Sequence, residues 1–462
     1  MKGQSTWSYT PYRPPLTEVG DVYICRVVPH KESIHFEWLP MDEENYSVFC
    51  RVRGVGVFSH VGDTASCAYD IEGLQCDTEY EFYVAAGEKK SRVRLARCGT
   101  SVGSVVNYLH PEDEAYDFSG RYLASPSLVR HPDGYLLASM DVFQGGKPQN
   151  FTLIFRSDDE GESWHYLCEL MPCFWGKLFV HKGELYMLSV STEYGDLLIG
   201  KSTDGGKSFS SPVTLFRGSN GKGANSGVHK NPQNIFYHGG RIYETLEWGA
   251  WSNKEGYGHA AMVMSCDEDD DLLLPENWSF TEPVPFSPFS PELSDLPRDT
   301  MMIEGTLCVS PEGELLNVMR FGKYHTAIAF RVDTEDHEAP LTFSRLIDFP
   351  ANYTKFMIKF DEVSGYYYSI GARVYDPEKS WARNLLSFLR SRDLASWEVV
   401  TDLFDEREGD AAKIGFQYVD FYFEGEDIIY LCRTARNGAN NYHDSNYSTF
   451  HRIKKFRDRA AK

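Results

Sequence analysis

A short turn motif occurs twice after an apolar, strand-like run and constrains the fold more than any other feature. Residues 157–164 read Ser-Asp-Asp-Glu-Gly-Glu-Ser-Trp, and residues 202–209 read Ser-Thr-Asp-Gly-Gly-Lys-Ser-Phe. The Asp at the third position can accept backbone N–H bonds across a tight turn, and the Gly at the fifth position supplies left-handed backbone angles. The closing aromatic residue is expected to pack back on the sheet. The motif therefore predicts β-hairpins whose turns are fixed by these hydrogen bonds, and such a turn is called a clip below.

Two weaker copies extend this pattern along the chain. Ser265-Cys-Asp267 precedes Trp278, and residues 391–397 read Ser-Arg-Asp-Leu-Ala-Ser-Trp. The pattern Ser-x-Asp-x-Gly-x-Ser/Thr-Trp/Phe resembles the Asp-box (BNR) hairpin of the sialidase-like β-propeller superfamily. Two good copies within about 50 residues argue against chance. The resemblance covers residues 103–457 and implies a propeller that acts on glycans.

Six segments repeat the order strand, Gly-containing turn, strand, loop, strand, clip and strand. Their closing aromatic residues recur at intervals of roughly 45 to 69 residues, at Trp164, Phe209, Trp278, Phe343, Trp397 and Phe450. This period predicts an all-β fold with six propeller blades. The last segment is one strand short, so we expect residues 104–109 to supply that strand and close the ring.

The chain before the repeats, residues 1–100, has a different sequence pattern. Residues 1–20 are rich in Pro and Tyr and are predicted to be an extended arm. Residues 21–100 contain short alternating strands, with Trp38 before a Leu-Pro pair and Leu74 and Thr78 leading to Tyr80. These residues resemble a fibronectin type III β-sandwich with its tyrosine corner. Another small β-sandwich is the alternative, and neither assignment gives this module a catalytic role.

Composition excludes several classes of function. The 462 residues carry a formal net charge of −21, which argues against nucleic acid or an anionic membrane surface as a partner. The ten cysteines form no CxxC pair, so buried reduced thiols are expected, and neither a metal nor a cofactor motif occurs. Without an apolar leader the chain is predicted to be cytoplasmic, or secreted if a signal peptide has been removed. The composition does not decide whether the protein forms a homo-oligomer.

Propeller topology predicts which side chains converge. The first strand of each blade starts, and the second ends, on the same face of the ring, so residues at those points should line one central funnel. They are Arg121, Asp141, Trp175, Glu193, Tyr194, His229, Lys230, Glu247, Glu304, Arg320, Lys355, Arg373, Tyr418, Asp420 and Arg433. So many charges indicate a substrate site, while mutual pairing that only plugs the channel is the alternative.

The family resemblance implies roles that can be compared with this sequence. Sialidase-like enzymes clamp the substrate carboxylate with three arginines and use an aspartic acid as acid/base, with a tyrosine nucleophile assisted by a glutamate. Here the place of the first arginine reads Leu-Ala-Ser-Pro at 123–126, and the loop of the aspartic acid reads Gly-Gly-Lys-Pro-Gln-Asn at 145–150. These departures predict an activity that differs from that of a classical sialidase.

The remaining candidates still form a glycosidase set. Arg320, Arg373 and Arg433 end corresponding strands of blades four to six, where they are predicted to bind a carboxylate together. Tyr418 lies where the resemblance implies a nucleophile, and the candidate acids, bases and carboxylate partners are Glu304, Glu247, Asp141 and Asp420. Further substrate contacts are assigned to Lys355, Glu193 and His443, and sugar stacking to Trp175 and Tyr194.

The sequence thus predicts an exo-acting glycoside hydrolase that removes a terminal, acidic sugar without a cofactor. Two alternatives remain. His229 and Lys230 follow a Gly-rich insert and could instead abstract a proton beside a uronic acid carboxylate, which would make the protein a polysaccharide lyase. A propeller can also bind carbohydrate without catalysis.

Overall fold

The structure is a computed structural model that describes residues 3–4, 21–219, 225–251 and 258–459, with backbone alone at 3–4. The predicted N-terminal arm therefore lies outside the described residues except for its short strand, β1 (Gly3–Gln4). The fold is all-β, with a small sandwich followed by six radially arranged sheets. The described part of the chain contains no helix long and apolar enough to cross a membrane.

The sandwich consists of two antiparallel sheets. Its strands are β2 (Ile24–Pro29), β3 (Ser33–Trp38), β4 (Tyr46–Val52), β5 (Ser59–Thr64), β6 (Ala68–Glu72), β7 (Glu79–Ala86), β8 (Lys89–Lys90) and β9 (Arg94–Arg97). One sheet has the order β2-β3-β6, and the other has the order β5-β4-β7-β8 with β9 also on β7. Alternate residues of β3 and β7, such as Phe36 and Phe82, form the core between the sheets. The fibronectin assignment stays a prediction.

The propeller strands follow in chain order. They are β10 (Ser104–Tyr108), β11 (Tyr122–Arg130), β12 (Leu136–Phe143), β13 (Phe151–Ser157), β14 (His165–Leu170), β15 (Phe174–His181), β16 (Glu184–Val190), β17 (Leu197–Ser202), β18 (Val213–Phe216), β19 (Gly227–His229), β20 (Phe236–His238), β21 (Arg241–Gly249), β22 (His259–Asp267), β23 (Trp278–Phe280), β24 (Val284–Pro285), β25 (Met302–Val309), β26 (Leu315–Lys323), β27 (Thr326–Arg331), β28 (Thr342–Asp348), β29 (Ile358–Asp361), β30 (Tyr366–Ala372), β31 (Leu385–Ser391), β32 (Glu398–Asp405), β33 (Gly415–Glu424), β34 (Asp427–Ala435) and β35 (Tyr447–Ile453).

Each blade is an antiparallel sheet of about four strands. Blades one to five start at β11, β15, β19, β25 and β29, and blade two also pairs with β1. In blade three, β20 and β24 add to the four-strand path. Three 3₁₀ turns, at Pro275–Asn277, Pro291–Leu293 and Pro377–Lys379, and the short helix α1 (Phe456–Arg459) complete the described secondary structure.

The ring closes with the beginning of the propeller sequence, as predicted. Blade six has the order β10-β35-β34-β33, in which Ser104 pairs with Phe450 and Tyr108 with Tyr447. The two ends of the propeller segment are therefore bound in one sheet. Because the first propeller strand, β10, pairs with the last, β35, the ring is closed by hydrogen bonds within one sheet.

The turn motifs adopt the hydrogen bonding that their residue types predict. Asp159 Oδ1 accepts from the Ser157 hydroxyl at 2.8 Å and from the Ser163 backbone N–H at 2.9 Å, while the Ser163 hydroxyl donates to Oδ2 at 2.6 Å. Gly161 has φ of 90°, and the indole of the fully buried Trp164 donates to its carbonyl. Asp204 repeats the same contacts in blade two.

The cysteines fit the expectation of buried thiols. All ten are free; eight are buried, and Cys67 and Cys76 are half-buried. Burial raises the pKa of Cys50 to about 11 and that of Cys308 to about 12, so these thiols stay protonated near neutral pH.

Candidate active site

Backbone bulges in the first strands of four blades shape the centre of one propeller face. Ser125, Trp175, Glu304 and Tyr418 have left-handed φ values of 47°, 49°, 57° and 56°, and the strand register shifts at each of them. A non-glycine residue in this conformation costs about 1–3 kcal/mol and persists where surrounding contacts impose it. Four equivalent bulges around one ring therefore mark this face as the candidate site.

Tyr418 and Glu304 meet across the ring from blades six and four. The Tyr418 hydroxyl donates to Glu304 Oε1 at 2.6 Å, and Arg320 Nη1 donates to Glu304 Oε2 at 2.8 Å. Burial opposes ionisation of Glu304, but the charges of Arg320 and His229 and the Tyr418 hydrogen bond outweigh it, so its pKa lies below the ordinary value. Glu304 is thus an ionised carboxylate that holds the tyrosine hydroxyl.

The same environment keeps Tyr418 protonated at rest. Burial and the negative charge of Glu304 raise the pKa of Tyr418, although three arginines, Arg320, Arg383 and Arg433, oppose the shift. The guanidinium carbons of Arg433 and Arg383 lie 5.0 and 5.9 Å from the centre of its ring. Tyr418 is therefore a neutral hydroxyl surrounded by cations, with a base already in hydrogen-bond contact.

Two of these cations lack a carboxylate partner. Arg383 is 7% exposed and donates to the side-chain oxygen of Gln417, and Arg433 is 4% exposed and donates to the backbone carbonyl of His443. Within the described residues, neither guanidinium group has a salt bridge. Burial lowers the pKa of Arg383 to about 10 and also lowers that of Arg433. Two buried guanidinium groups without counter-ions form a site suited to an anion.

Arg383 was not among the residues predicted from the sequence, and Arg373 was predicted in its place. Arg373 instead forms a bidentate pair with Asp402, at 2.9 Å to both oxygens, and bonds Ser387. Arg383 lies in the loop before β31, where its carbonyl accepts from the Phe416 N–H at 2.8 Å and attaches the loop to β33. The funnel residues were predicted only from the first and second strands of each blade. Arg383 was missed because it lies in the loop before β31, the third strand of blade five.

His229 and Glu247 form a second pair beside Glu304. His229 Nδ1 lies 2.5 Å from Glu247 Oε2, and the backbone N–H of Gly305 donates to Glu247 Oε1 at 3.3 Å. Glu247 therefore orients the imidazole and also supports the bulge that carries Glu304. The Trp175 ring lies 4.4 Å from the His229 ring, centre to centre, and the half-exposed Trp251 lies 6.2 Å away.

Tyr194 is buried and contacts other residues of the protein, so it is not available at the surface. It is 1% exposed, accepts from the Trp251 N–H at 3.1 Å, and its hydroxyl lies 3.1 Å from His259 Nε2. Burial, followed by the charge of His229, lowers the pKa of His259 well below its ordinary value, so His259 is neutral. This placement does not fit the predicted stacking of Tyr194 on a sugar and makes it a support for the His229 region.

Asp141 also acts as a support rather than as a group that contacts substrate. It is fully buried, and it accepts from Thr152 Oγ1 at 2.5 Å and from the Trp175 backbone N–H at 2.6 Å. Burial raises its pKa to about 7. The carboxylate thus stabilises the Trp175 bulge as Glu247 stabilises the Glu304 bulge, and the predicted catalytic role of Asp141 does not match this position.

Asp420 and Lys355 lie with Lys177 in a group of fully buried charges, here called the charged plug. Asp420 forms a buried ion pair with Lys177 and accepts from the Leu128 N–H at 2.7 Å. Lys355 is fully buried and donates to the carbonyls of Pro232 and Val419. Because Asp420 is paired with Lys177 and the Lys355 ammonium group donates to two backbone carbonyls, the predicted catalytic role of Asp420 and the predicted substrate contact of Lys355 are not supported by their contacts.

Three further predicted residues lie towards the edge of this face. The Gln149 side chain donates to Glu193 Oε2 at 2.8 Å; Gln149 is buried and Glu193 is half-buried. His443 has a side chain that is 41% exposed, and its Nδ1 lies 3.0 Å from Asp444 Oδ1. Partial burial, followed by the charge of Arg433, lowers the pKa of His443, so this ring is neutral. Trp175 is half-buried beside His229 and remains available for stacking.

No group of three or more His, Cys, Asp or Glu side chains that could hold a metal occurs among the described residues. The side chains gathered at the site are a tyrosine, its glutamate, three arginines and a histidine–glutamate pair.

Comparisons with known proteins establish the fold. No model of a protein family matches the chain, and no curated protein matches its sequence. The Hadza microbial sialidase Hz136 has a similar structure, with a TM-score of 0.52 and 13% identity over 96% of this chain and 98% of that one. A Penicillium chrysogenum alpha-L-arabinanase gives 0.49 and 13% over 77% and 99%, and the leech intramolecular trans-sialidase gives 0.49 and 10% over 98% and 94%. The chain thus has an all-β propeller fold like that of Hz136.

Proposed function

We propose that the protein is an exo-acting glycoside hydrolase that removes a terminal acidic sugar from a glycan. The observation that carries the proposal is the Tyr418–Glu304 hydrogen bond of 2.6 Å beside two buried arginines without carboxylate partners. A sugar carboxylate would supply the missing negative charge by bidentate hydrogen bonds. The fold that the chain shares with the sialidase Hz136 supports the same class of reaction.

Tyr418 is the proposed nucleophile and Glu304 its base. As the tyrosine oxygen attacks the anomeric carbon, its proton passes to the carboxylate that already accepts its hydrogen bond. Arg320 holds the other oxygen of that carboxylate and fixes its orientation. A neutral nucleophile suits an anionic substrate, because a carboxylate nucleophile would be repelled by the substrate's own carboxylate.

Arg383 and Arg433 are the proposed clamp for the substrate carboxylate, together with Arg320. Arg433 also lies over the ring of Phe143, with 4.5 Å from its guanidinium carbon to the ring centre, and this contact restricts its rotation. The clamp would hold the sugar with its carboxylate beside Tyr418. Such fixed placement of the reacting carbon next to the nucleophile is a main source of rate enhancement.

The test is incubation with a panel of sialosides, uronides and neutral aryl glycosides, following released sugar and ultraviolet absorbance. We expect release of an acidic sugar without new absorbance, and a loss of kcat/KM on the order of 10³-fold in Tyr418→Phe. The matched control is Tyr69→Phe in the sandwich, which should keep full activity. A neutral sugar as the sole product would contradict the proposed clamp.

A lyase is the second candidate, because His229 lies next to Glu247, which supports the Glu304 bulge, and its Nε2 atom receives no hydrogen bond from the described residues. Proton abstraction beside a uronic acid carboxylate would give an unsaturated product with new ultraviolet absorbance. That product, formed at an unchanged rate by Tyr418→Phe, would favour the lyase. Binding of acidic glycans without any product would favour a carbohydrate-binding propeller.

A further inference from the structure

We propose that His229 is the acid/base residue that protonates the departing sugar oxygen, an inference that rests on the proposed function. Tyr418 and Glu304 account for the attack on the anomeric carbon, but neither is placed to give a proton to the leaving group once Glu304 has received the tyrosine proton. The loop at 145–150, where the family resemblance implies an aspartic acid, contains no carboxylate. A proton donor must therefore come from elsewhere in the site.

The geometry of His229 fits that task. Glu247 binds Nδ1 at 2.5 Å and is itself fixed by the Gly305 N–H, so the ring is held from one side. Among the described residues no hydrogen bond reaches Nε2, so this nitrogen has no partner within the protein, although the side chain is only 3% exposed in the free protein. Glu247, which contacts His229, also accepts from the N–H of Gly305 next to Glu304, and this contact links His229 to the Tyr418–Glu304 pair.

A carboxylate and three aromatic rings surround the His229 imidazole. Glu247 contacts it at Nδ1, and the ring of the neutral His259 lies 4.9 Å away between ring centres. The rings of Trp175 and Trp251 lie 4.4 and 6.2 Å away, both at a steep angle to the imidazole. These contacts fix the orientation of the ring from several sides.

The other carboxylates of this face are occupied elsewhere. Asp141 is fully buried beneath the Trp175 bulge, and Glu193 Oε2 accepts from the Gln149 amide. Asp444 accepts from the amides of Asn440 and Asn441 and contacts His443. The proposal therefore assigns the proton to a histidine rather than to a carboxylic acid.

The proposed reaction has two steps, in each of which His229 transfers one proton. In the first, the Tyr418 oxygen bonds to the anomeric carbon, the bond to the leaving oxygen breaks, Glu304 takes the tyrosine proton, and His229 Nε2 gives a proton to the leaving oxygen. In the second, neutral His229 takes a proton from water as the water oxygen bonds to the anomeric carbon. The tyrosine–carbon bond breaks, and Glu304 returns the proton to Tyr418.

The experiment compares His229→Gln on two substrates with the same acidic sugar, one with a 4-nitrophenyl leaving group and one with an alkyl sugar leaving group. A nitrophenolate departs without a proton. We therefore expect kcat/KM to fall by about 10²–10⁴-fold on the sugar substrate and by less than about 10-fold on the nitrophenyl substrate. Circular dichroism and the melting temperature establish that the variant is folded.

An equal loss on both substrates, or no loss on either, overturns the assignment. Tyr418→Phe is measured in parallel and should lose activity on both substrates, because the nucleophile is needed for any leaving group. If Tyr418→Phe keeps its activity, the proposed function fails. If it loses activity while His229→Gln shows no leaving-group selectivity, the proposed function stands and the role of His229 fails. Glu247→Gln should show the same selectivity more weakly, as expected of a positioning residue.

Discussion

Tyr418 combines an unfavourable backbone conformation with contacts that impose it. Its φ of 56° requires compensation, which comes from the Glu304 hydrogen bond and from the two arginines near its ring, Arg383 and Arg433. Glu304 has the same backbone strain and is supported by Glu247 through Gly305. The proposed nucleophile and its proposed base are therefore held in place before substrate arrives, so less reorganisation is needed to reach the transition state.

The arginine clamp gives a prediction with a matched control. Arg383→Ala removes a buried guanidinium group that has no carboxylate partner, whereas Arg373→Ala removes one that is paired with Asp402. A charge-assisted hydrogen bond contributes about 1.5–3 kcal/mol, so Arg383→Ala should lower kcat/KM for the acidic sugar by roughly 10–100-fold. Arg373→Ala should change kcat/KM less than about 3-fold. Equal effects in the two variants would contradict the clamp.

Lys359 gives a prediction about pH and stability. It lines a cavity of about 660 Å³ formed with Leu307, Met357 and Phe423. Burial, which outweighs the charge of Asp420, lowers the pKa of Lys359 to about 7 from 10.5. Between these pH values the unfolded chain binds more protons than the folded one, so this residue makes stability rise as the pH rises from about 7 to 10.

Replacing Lys359 should remove that dependence. Lys359→Met is expected to raise the free energy of unfolding at pH 7 by up to about 4 kcal/mol and to flatten the profile between pH 7 and 10. Urea unfolding at several pH values measures both effects. Lys89→Met, on the exposed strand β8, is the control and should run parallel to the wild type. A Lys359→Met profile parallel to that of the wild type would contradict the assigned pKa.

At the scale of elements, the clips hold the outer strands of the blades. Asp159→Ala removes an acceptor for two hydroxyls and a backbone N–H in blade one, and should lower the free energy of unfolding by about 1–3 kcal/mol. Asp158→Ala, next to it, removes only an exposed pair with Arg156 and should cost less than about 0.5 kcal/mol. Chemical denaturation compares the two. Activity should survive in both, because the clips are not part of the site.

The blades could be predicted from the sequence, but the bulges that shape the site could not. Clip spacing and closing aromatics predicted the blades, and the missing strand of blade six predicted closure by β10, because these patterns are local in sequence. The bulges were not predicted, since one extra residue per strand leaves no periodic signal. Strand phase alone also could not separate Tyr418, which faces the site, from Asp420, which lies in the plug two residues later.

At the scale of the whole molecule, the sandwich is fixed to the propeller by buried charges. Arg94 Nε donates to Asp113 at 2.7 Å, with both side chains almost fully buried, and Arg26 donates to the carbonyls of Val105 and Val106 in the closing strand β10. Val105, Tyr108 and Tyr447 of blade six belong to the same apolar cluster as the sandwich core. We therefore expect the sandwich and the propeller to unfold in one transition.

Calorimetry tests this coupling. Arg94→Ala leaves the Asp113 carboxylate buried without its partner and should destabilise the protein by about 3–5 kcal/mol, with the sandwich melting separately. Arg53→Ala breaks a partly exposed pair with Glu79 and Glu112 and should cost about 0–1 kcal/mol. Two separate transitions in the wild type would contradict the coupling.

In the proposed mechanism Tyr418 becomes covalently bonded to an acidic sugar. Mass spectrometry of the acid-quenched reaction tests this bond, using the nitrophenyl substrate and His229→Gln, in which the second step should be slow. We predict a mass increase of one sugar residue on the peptide that contains Gly415–Glu424, and none in Tyr418→Phe. An adduct on another residue, or steady turnover with no adduct and an unsaturated product, would show that Tyr418 is not the nucleophile.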